Sequence, residues 1–411
     1  MSDVLERFIR YASIDTQSDP KNAGQTPSST KQFDLAKVLF EELKELGITD
    51  AALDEHAYVT GHLSASEGLE DLPVLGLIAH LDASPDAPST KVRPHIVSFT
   101  GEDIVLEGPK DKPTVISAHE IAEASSLIGK DLVVSDGTTL LSADDKAGVA
   151  EIMALIARLV QDPSIAHPRL AIAFVPDEEI GHGASLLDLE SFGADIAYTV
   201  DGGPIGEIEY ENFNAAQLDV RLRGTMVHPG SAKDIMVNAC DIAWEFHSML
   251  PAQQRPQHTE GYEGFFHLHD MSGTVDEAHL SYIIRDHSTE EFENKKALAR
   301  KAAELLALRY GADRIKLEIS DSYYNMAHIV KDHMELVEKA KEAFLAAGFT
   351  PNIIPIRGGT DGAQLSYRGL PCPNLSTGGY NYHSVREFIP VFALEGMVEV
   401  LVQLVEQFAQ A

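Results

Sequence analysis

Three short, predominantly apolar runs, each closing on metal-competent polar residues, constrain this chain more than any other feature. They are VLGLIAH (74–80), LAIAFVPDEE (170–179) and AYTVDGG (197–203). Runs this short and this apolar read as strands buried on both faces, the pattern of a parallel sheet covered by helices. Open α/β sheets bind ligands at the carboxyl ends of their strands. Strands ending in His80, in Glu178-Glu179 and in Asp201 therefore predict one shared site.

The remaining pattern organises around that sheet. Helical periodicity marks residues 1–13, 31–46 and about 143–161, the last beginning at SADDKAG. The middle of the chain changes character: QLDVRLRGTM (217–226) alternates, 231–250 reads as a long amphipathic helix, and GFFHLHDMSG and TVDEAHLSYIIRDH alternate again. A helix at about 288–310 and a strand at 314–320 complete a β-α-β-β-α-β unit. The α/β pattern resumes with a helix at 329–347. The expected architecture is α/β with two domains. Residues 1–213 and 326–411 form a discontinuous catalytic domain, a mixed sheet flanked by helices, and 214–325 form an inserted lid. A chain of 411 residues is long enough for two cores.

Composition narrows the partners. Against 32 Lys and Arg stand 64 Asp and Glu, a net charge of −32; nucleic acid and anionic membrane surfaces repel such a protein. The N-terminal stretch alternates charged and apolar residues, unlike a secretory signal, and no run is long enough to span a bilayer. The two cysteines, Cys240 and Cys372, form no metal-binding pair. A cytoplasmic location is expected.

Five side chains carry the chemistry: His80, Asp144 in SADDKAG, Glu179 in PDEEIG, Asp201 and His383 in NYHSVREF. Each has an ordinary explanation. A lone His among 17 is usually structural, adjacent acids before a helix serve as caps, and Asp-Gly opens turns. Together, at strand ends and in loops, they suit a pair of zinc-like cations with one bridging carboxylate. Asp82, two residues beyond His80, is placed to accept a hydrogen bond from one ring nitrogen. Glu178, beside Glu179, is a candidate general base. His267 and His269 have no evident third ligand. RGGTDG (357–362) lacks the Lys-Ser/Thr ending of a phosphate loop and reads as a turn at a substrate cleft. No Ser or Cys has the context of a nucleophile.

Over its whole length the chain resembles the peptidase T family, tripeptide aminopeptidases among the co-catalytic di-zinc exopeptidases. The motifs that carry the resemblance are HLDASPD, SADDKAGVAEIM, PDEEIGHGA, YTVDGG, GTMVHPGSAKDIMVNA, YIIRD and IRGGTDGAQLS. It implies that His80, Asp144, Glu179, Asp201 and His383 hold two zinc ions, or another divalent metal such as cobalt or manganese. Asp144 would bridge, with His80 and Asp201 on one ion and Glu179 and His383 on the other. It further implies a cis peptide after Asp144, Asp82 as the orienting and Glu178 as the proton-accepting residue, and a small-peptide substrate. His228 and Arg285 of the lid, and Arg357 of the catalytic domain, would contact that substrate, and homodimers would form through the lid. Ser384-Val385-Arg386 depart from the Gly-containing, more basic stretch expected after the last histidine. Carboxypeptidases, dipeptidases and N-deacylases share this metal centre and stand as the alternative; a non-catalytic metal-binding scaffold is a more distant one.

Overall fold

Leu75–His80 pairs in parallel with Leu170–Val175 on one side and Ile196–Gly202 on the other, and Leu75 lies opposite both Leu170 and Ile196. The computed structural model describes residues 1–108, 113–121 and 123–410. Among them these strands are the centre of an eight-stranded mixed sheet. Val59–Leu63 runs antiparallel to Leu170–Val175, and Asn374–Ser376 runs parallel to Ile196–Gly202. Every residue of Leu75–His80 and Leu170–Val175 is buried, as their unbroken apolar character predicts. The helix Ala143–Gln161 packs against Leu75–His80 and Ile196–Gly202 and is itself contacted by Asp3–Ala12 and Val391–Ala409. Ile78, Ala171, Ala173 and Ala197 join a second buried cluster with Phe192, Leu365 and Leu370.

Gly148 shows how tightly the helix meets the sheet. A Cβ added there would lie 2.0 Å from the Val200 carbonyl oxygen and 2.4 Å from Asp145 Oδ1, so a side chain would push the helix off the strand that carries Asp201. Leu170–Val175 ends before Pro176, earlier than the sequence suggests. Asp177 adopts φ 59°, and Glu178–Ile180 close a single 3₁₀ turn. The sequence reading did not anticipate a small antiparallel sheet of His95–Ser98, Asp131–Val134 and Phe388–Pro390.

The chain divides into two compact units. The first comprises residues 1–210, 328–354 and 360–411, and the second comprises 211–327 and 355–359. The second unit is an antiparallel sheet in the order Phe265–Gly273, Glu277–Asp286, Asn214–Arg223, Ile315–Tyr323. Helices Ala239–Met249 and Thr289–Tyr310 bury Ile242, Phe246, Phe292 and Leu306 in one core with Leu218, Val220, Leu280 and Ile284.

Two expectations are corrected here. The helix expected over 231–250 begins only at Ala239. Thr225 and Val237 exchange backbone hydrogen bonds of 2.7 and 3.2 Å, which holds 225–237 extended at its ends, and the Asn238 side chain caps Cys240 N–H at 3.0 Å. Arg357 belongs to the second unit, not to the catalytic domain. Its guanidinium donates to the carbonyls of Gly261 and Glu263 at 2.5 and 3.1 Å, and it lies over Phe213 and Phe265; the carbonyls and aromatic faces of one module hold it there.

Candidate metal centre

The five residues singled out in sequence all lie in the first unit, and their polar atoms converge. His80 ends its strand and is 2% exposed. Its Nε2 lies 2.9 Å from Asp144 Oδ1 and 3.5 Å from Asp201 Oδ1. His383 approaches the same carboxylate from the far side of the sequence. Its Nε2 lies 3.3 Å from Asp144 Oδ2 and 3.0 Å from Glu179 Oε2. Asp144 thus spans the two imidazoles, one oxygen toward each. The Asp144–Asp145 peptide is cis.

Asp145 is drawn differently. It is fully buried, and its oxygens accept the backbone N–H groups of His80 at 3.0 Å and Gly148 at 3.2 Å. Ligand atoms of His80, Asp145 and Asp201 fall within 4.8 Å of one another, as do those of His80, Asp144 and Glu179. Asp145 is the acid whose oxygens are already engaged by amides. No grouping of this kind includes His267 or His269 among the described residues.

Asp82 is fully buried beneath His80, with Oδ1 3.3 Å from Nδ1. The same carboxylate accepts the N–H groups of Glu178 and Glu179 at 3.0 and 3.3 Å. Asp177 fastens the other end of this acidic turn: it accepts from Ser28 N–H, Ser28 Oγ and Gln32 Nε2 at 2.6, 2.5 and 2.6 Å. Asp177 went unread in the sequence because its partners lie 145 to 149 residues away. Tyr382 was missed for the same reason. Its Oη donates to Gly202 O at 2.9 Å, tying the segment before His383 to the residue after Asp201.

The cluster carries more buried negative charge than its own side chains neutralise. Burial and then repulsion from Asp144 lift the Glu179 carboxyl to about 8. Burial lifts Asp201 to about 6 against the attraction of His80. Burial, then Asp201, push Glu178 well above the usual carboxylate range. Glu179 Oε1 is buried and finds no hydrogen-bond partner among the described residues. Two imidazoles and three carboxylates in such surroundings fit divalent cations of the zinc class.

The three residues expected to contact substrate lie in the second unit. His228 is exposed, and its Nδ1 accepts Gly230 N–H at 3.1 Å. Arg285 is half-buried and donates to the Arg357 carbonyl at 3.2 Å, while its Nε is buried without a partner among the described residues.

Residues 210–314 match the family model of a peptidase dimerisation domain. A peptidase T from Caldanaerobacter subterraneus is 48% identical over 411 residues, covering 100% of both chains. Among solved structures, an aminopeptidase PepT from Bacillus cereus superposes with a TM-score of 0.78 at 24% identity, covering 99% of this chain and 98% of that one. A tripeptidase from Staphylococcus aureus gives the same TM-score at 22% identity, covering 100% and 98%.

Proposed function

Because the chain belongs to the peptidase T family, we propose that it is a metallo-aminopeptidase that releases the N-terminal residue of tripeptides. The observation that carries this reading is Asp144, placed with one oxygen at His80 and the other at His383. We assign His80, Asp144 and Asp201 to one ion and Asp144, Glu179 and His383 to the other, with zinc as the first choice on the imidazole and carboxylate donor set. Two such ions would polarise a scissile carbonyl and lower the pKa of water from about 16 to roughly 7.

The chain's own residues do the rest. Asp82 holds the His80 ring through Nδ1, which directs Nε2 to the centre. Glu178, on the turn whose amides Asp82 accepts, takes the proton of the attacking water and delivers it to the departing amine. Asp82 and Asp177 fix the backbone on which Glu178 and Glu179 sit. His228 and Arg285 are assigned to the substrate by the family resemblance. The planar guanidinium fork of Arg285 suits a peptide carboxylate or carbonyl.

Two further assignments follow. Self-association through the second unit is supported by the match to a dimerisation domain and by Trp244, Leu305 and Leu308, which are exposed on its two helices. A cytoplasmic location is supported by two free thiols, Cys240 and Cys372. Among the described residues no helix is long and apolar enough to cross a membrane.

Mass-spectrometric product analysis tests the activity. The substrates are a free tripeptide, its N-acetylated form and a dipeptide, each with added zinc and with a chelator. Metal-dependent release of the first residue from the free tripeptide alone is expected. Preference for the acetylated peptide would reject the proposal in favour of deacylation or carboxypeptidase action.

A further inference from the structure

Glu387 is a buried carboxylate, 1% exposed, four residues beyond His383. Among the described residues no cationic side chain is hydrogen-bonded to it. Instead Oε2 accepts the backbone N–H groups of Leu141 and Ser142 at 2.7 and 2.8 Å, and Oε1 accepts Asp144 N–H at 3.0 Å. These amides belong to the segment that leads into the helix Ala143–Gln161, which is non-helical in φ and ψ at Asp144 and Asp145, so its N–H groups need an acceptor from elsewhere in the chain. Ser142 there adopts φ 62°, and His383 adopts φ 59°. Both segments hold non-glycine residues in the left-handed region, so neither conformation is the chain's local preference.

The connection is specific in what it joins. Asp144 and Glu387 lie 243 residues apart, and among the described residues no other side chain accepts the amides of Leu141, Ser142 and Asp144. Glu387 N–H in turn bonds the Ser384 carbonyl at 3.1 Å, closing a tight turn directly after His383. One carboxylate therefore ties the loop that presents His383 to the loop that presents Asp144, whose side chains meet at 3.3 Å.

On the premise that His383 and Asp144 share an ion, we infer that Glu387 is a positioning residue that sets the spacing of the metal site to which His383 contributes. Its role is distinct from that of a ligand: it grips peptide amides and acts on the ion only through the two loops it joins. Supporting residues of this kind affect metal affinity by roughly 10- to 100-fold when removed.

The test compares the parent with Glu387→Gln, which keeps one acceptor oxygen but turns an N–H donor toward amides that the second oxygen had accepted. Glu387→Asp, which keeps the charge on a shorter arm, serves as the second variant. Zinc stoichiometry and dissociation constants are measured by competition with a chromophoric chelator, and near-UV circular dichroism in zinc-saturated buffer reports folding. The expected result is a folded variant that binds zinc at least tenfold more weakly than the parent, with the larger loss at the site that His383 shares with the bridging Asp144. Parent-like binding of both ions by both variants would overturn the inference alone. Loss of tertiary signal in both variants in saturating zinc would also overturn it, because Glu387 would then be a general support of the core. A parent that binds no zinc would overturn both this inference and the functional reading beneath it.

Discussion

Nδ1 of His80 lies 3.3 Å from Oδ1 of Asp82, and the ring's other nitrogen faces Asp144 at 2.9 Å. The main-chain carbonyl of Asp82 lies 3.2 Å from the same Nδ1, so Asp82 meets that nitrogen through both its backbone and its carboxylate. Replacing it with Asn keeps the shape but removes the negative charge behind the imidazole. Asp82→Asn is expected to weaken metal binding by roughly 10- to 100-fold. Chelator competition on the purified variant measures this, and an unchanged dissociation constant would show that the main-chain carbonyl of Asp82, 3.2 Å from Nδ1, holds the ring without the carboxylate charge.

Glu178 shares its turn with Glu179 but is assigned no ion. Glu178→Gln is expected to retain both metals and to lose turnover by roughly 100-fold or more, since general-base catalysis contributes about that much. Metal analysis together with steady-state kinetics separates the two effects. Near-parent turnover at full metal content would move the proton-accepting role to another group.

In the second unit, Lys295 Nζ lies 2.6 Å from Asp286 Oδ2, and each side chain is 6% exposed. Asp286 also accepts Ser288 N–H at 2.9 Å at the start of the helix Thr289–Tyr310. Lys295→Met strands a buried carboxylate, which costs about 3–5 kcal/mol. Urea unfolding of the parent and the variant, both in saturating zinc, reads this loss. A change under about 1 kcal/mol would show that the remaining partners of Asp286, the Ser288 N–H among them, suffice without the lysine.

Arg285 and His228 are assigned to substrate and not to metal. Arg285→Ala and His228→Ala are expected to leave metal content unchanged and to lower tripeptide turnover at least tenfold, as lost positioning contacts do. Parent-like kinetics in both variants would remove the second unit from the account of specificity.

Much of the centre was legible because its signals are local. Leu75–His80 and Leu170–Val175 are buried on both faces, so an unbroken apolar run announces each strand. The pleat then places whatever follows at the sheet's carboxyl edge. Asp82 was legible for a related reason, since residues two apart in extended chain face the same way. The choice between Asp144 and Asp145 was not local in this sense. Both are acids before a helix, and only the structure shows Asp145 engaged by the amides of His80 and Gly148.

The sequence by itself determined the buried strands, the alternating strands of the second unit and the residue types gathered at one edge, because periodicity and short motifs encode which face of an element is apolar. Tertiary structure decided which carboxylates face the centre and which serve the backbone. Asp177 reaches back to Ser28 and Gln32, Glu387 to Leu141 and Asp144, and Arg357 joins the second unit through Gly261 and Glu263. An acid's neighbours along the chain do not specify whether amides from a distant segment will arrive to bind it. That is settled only when packing brings those segments together and burial makes every unpaired N–H costly.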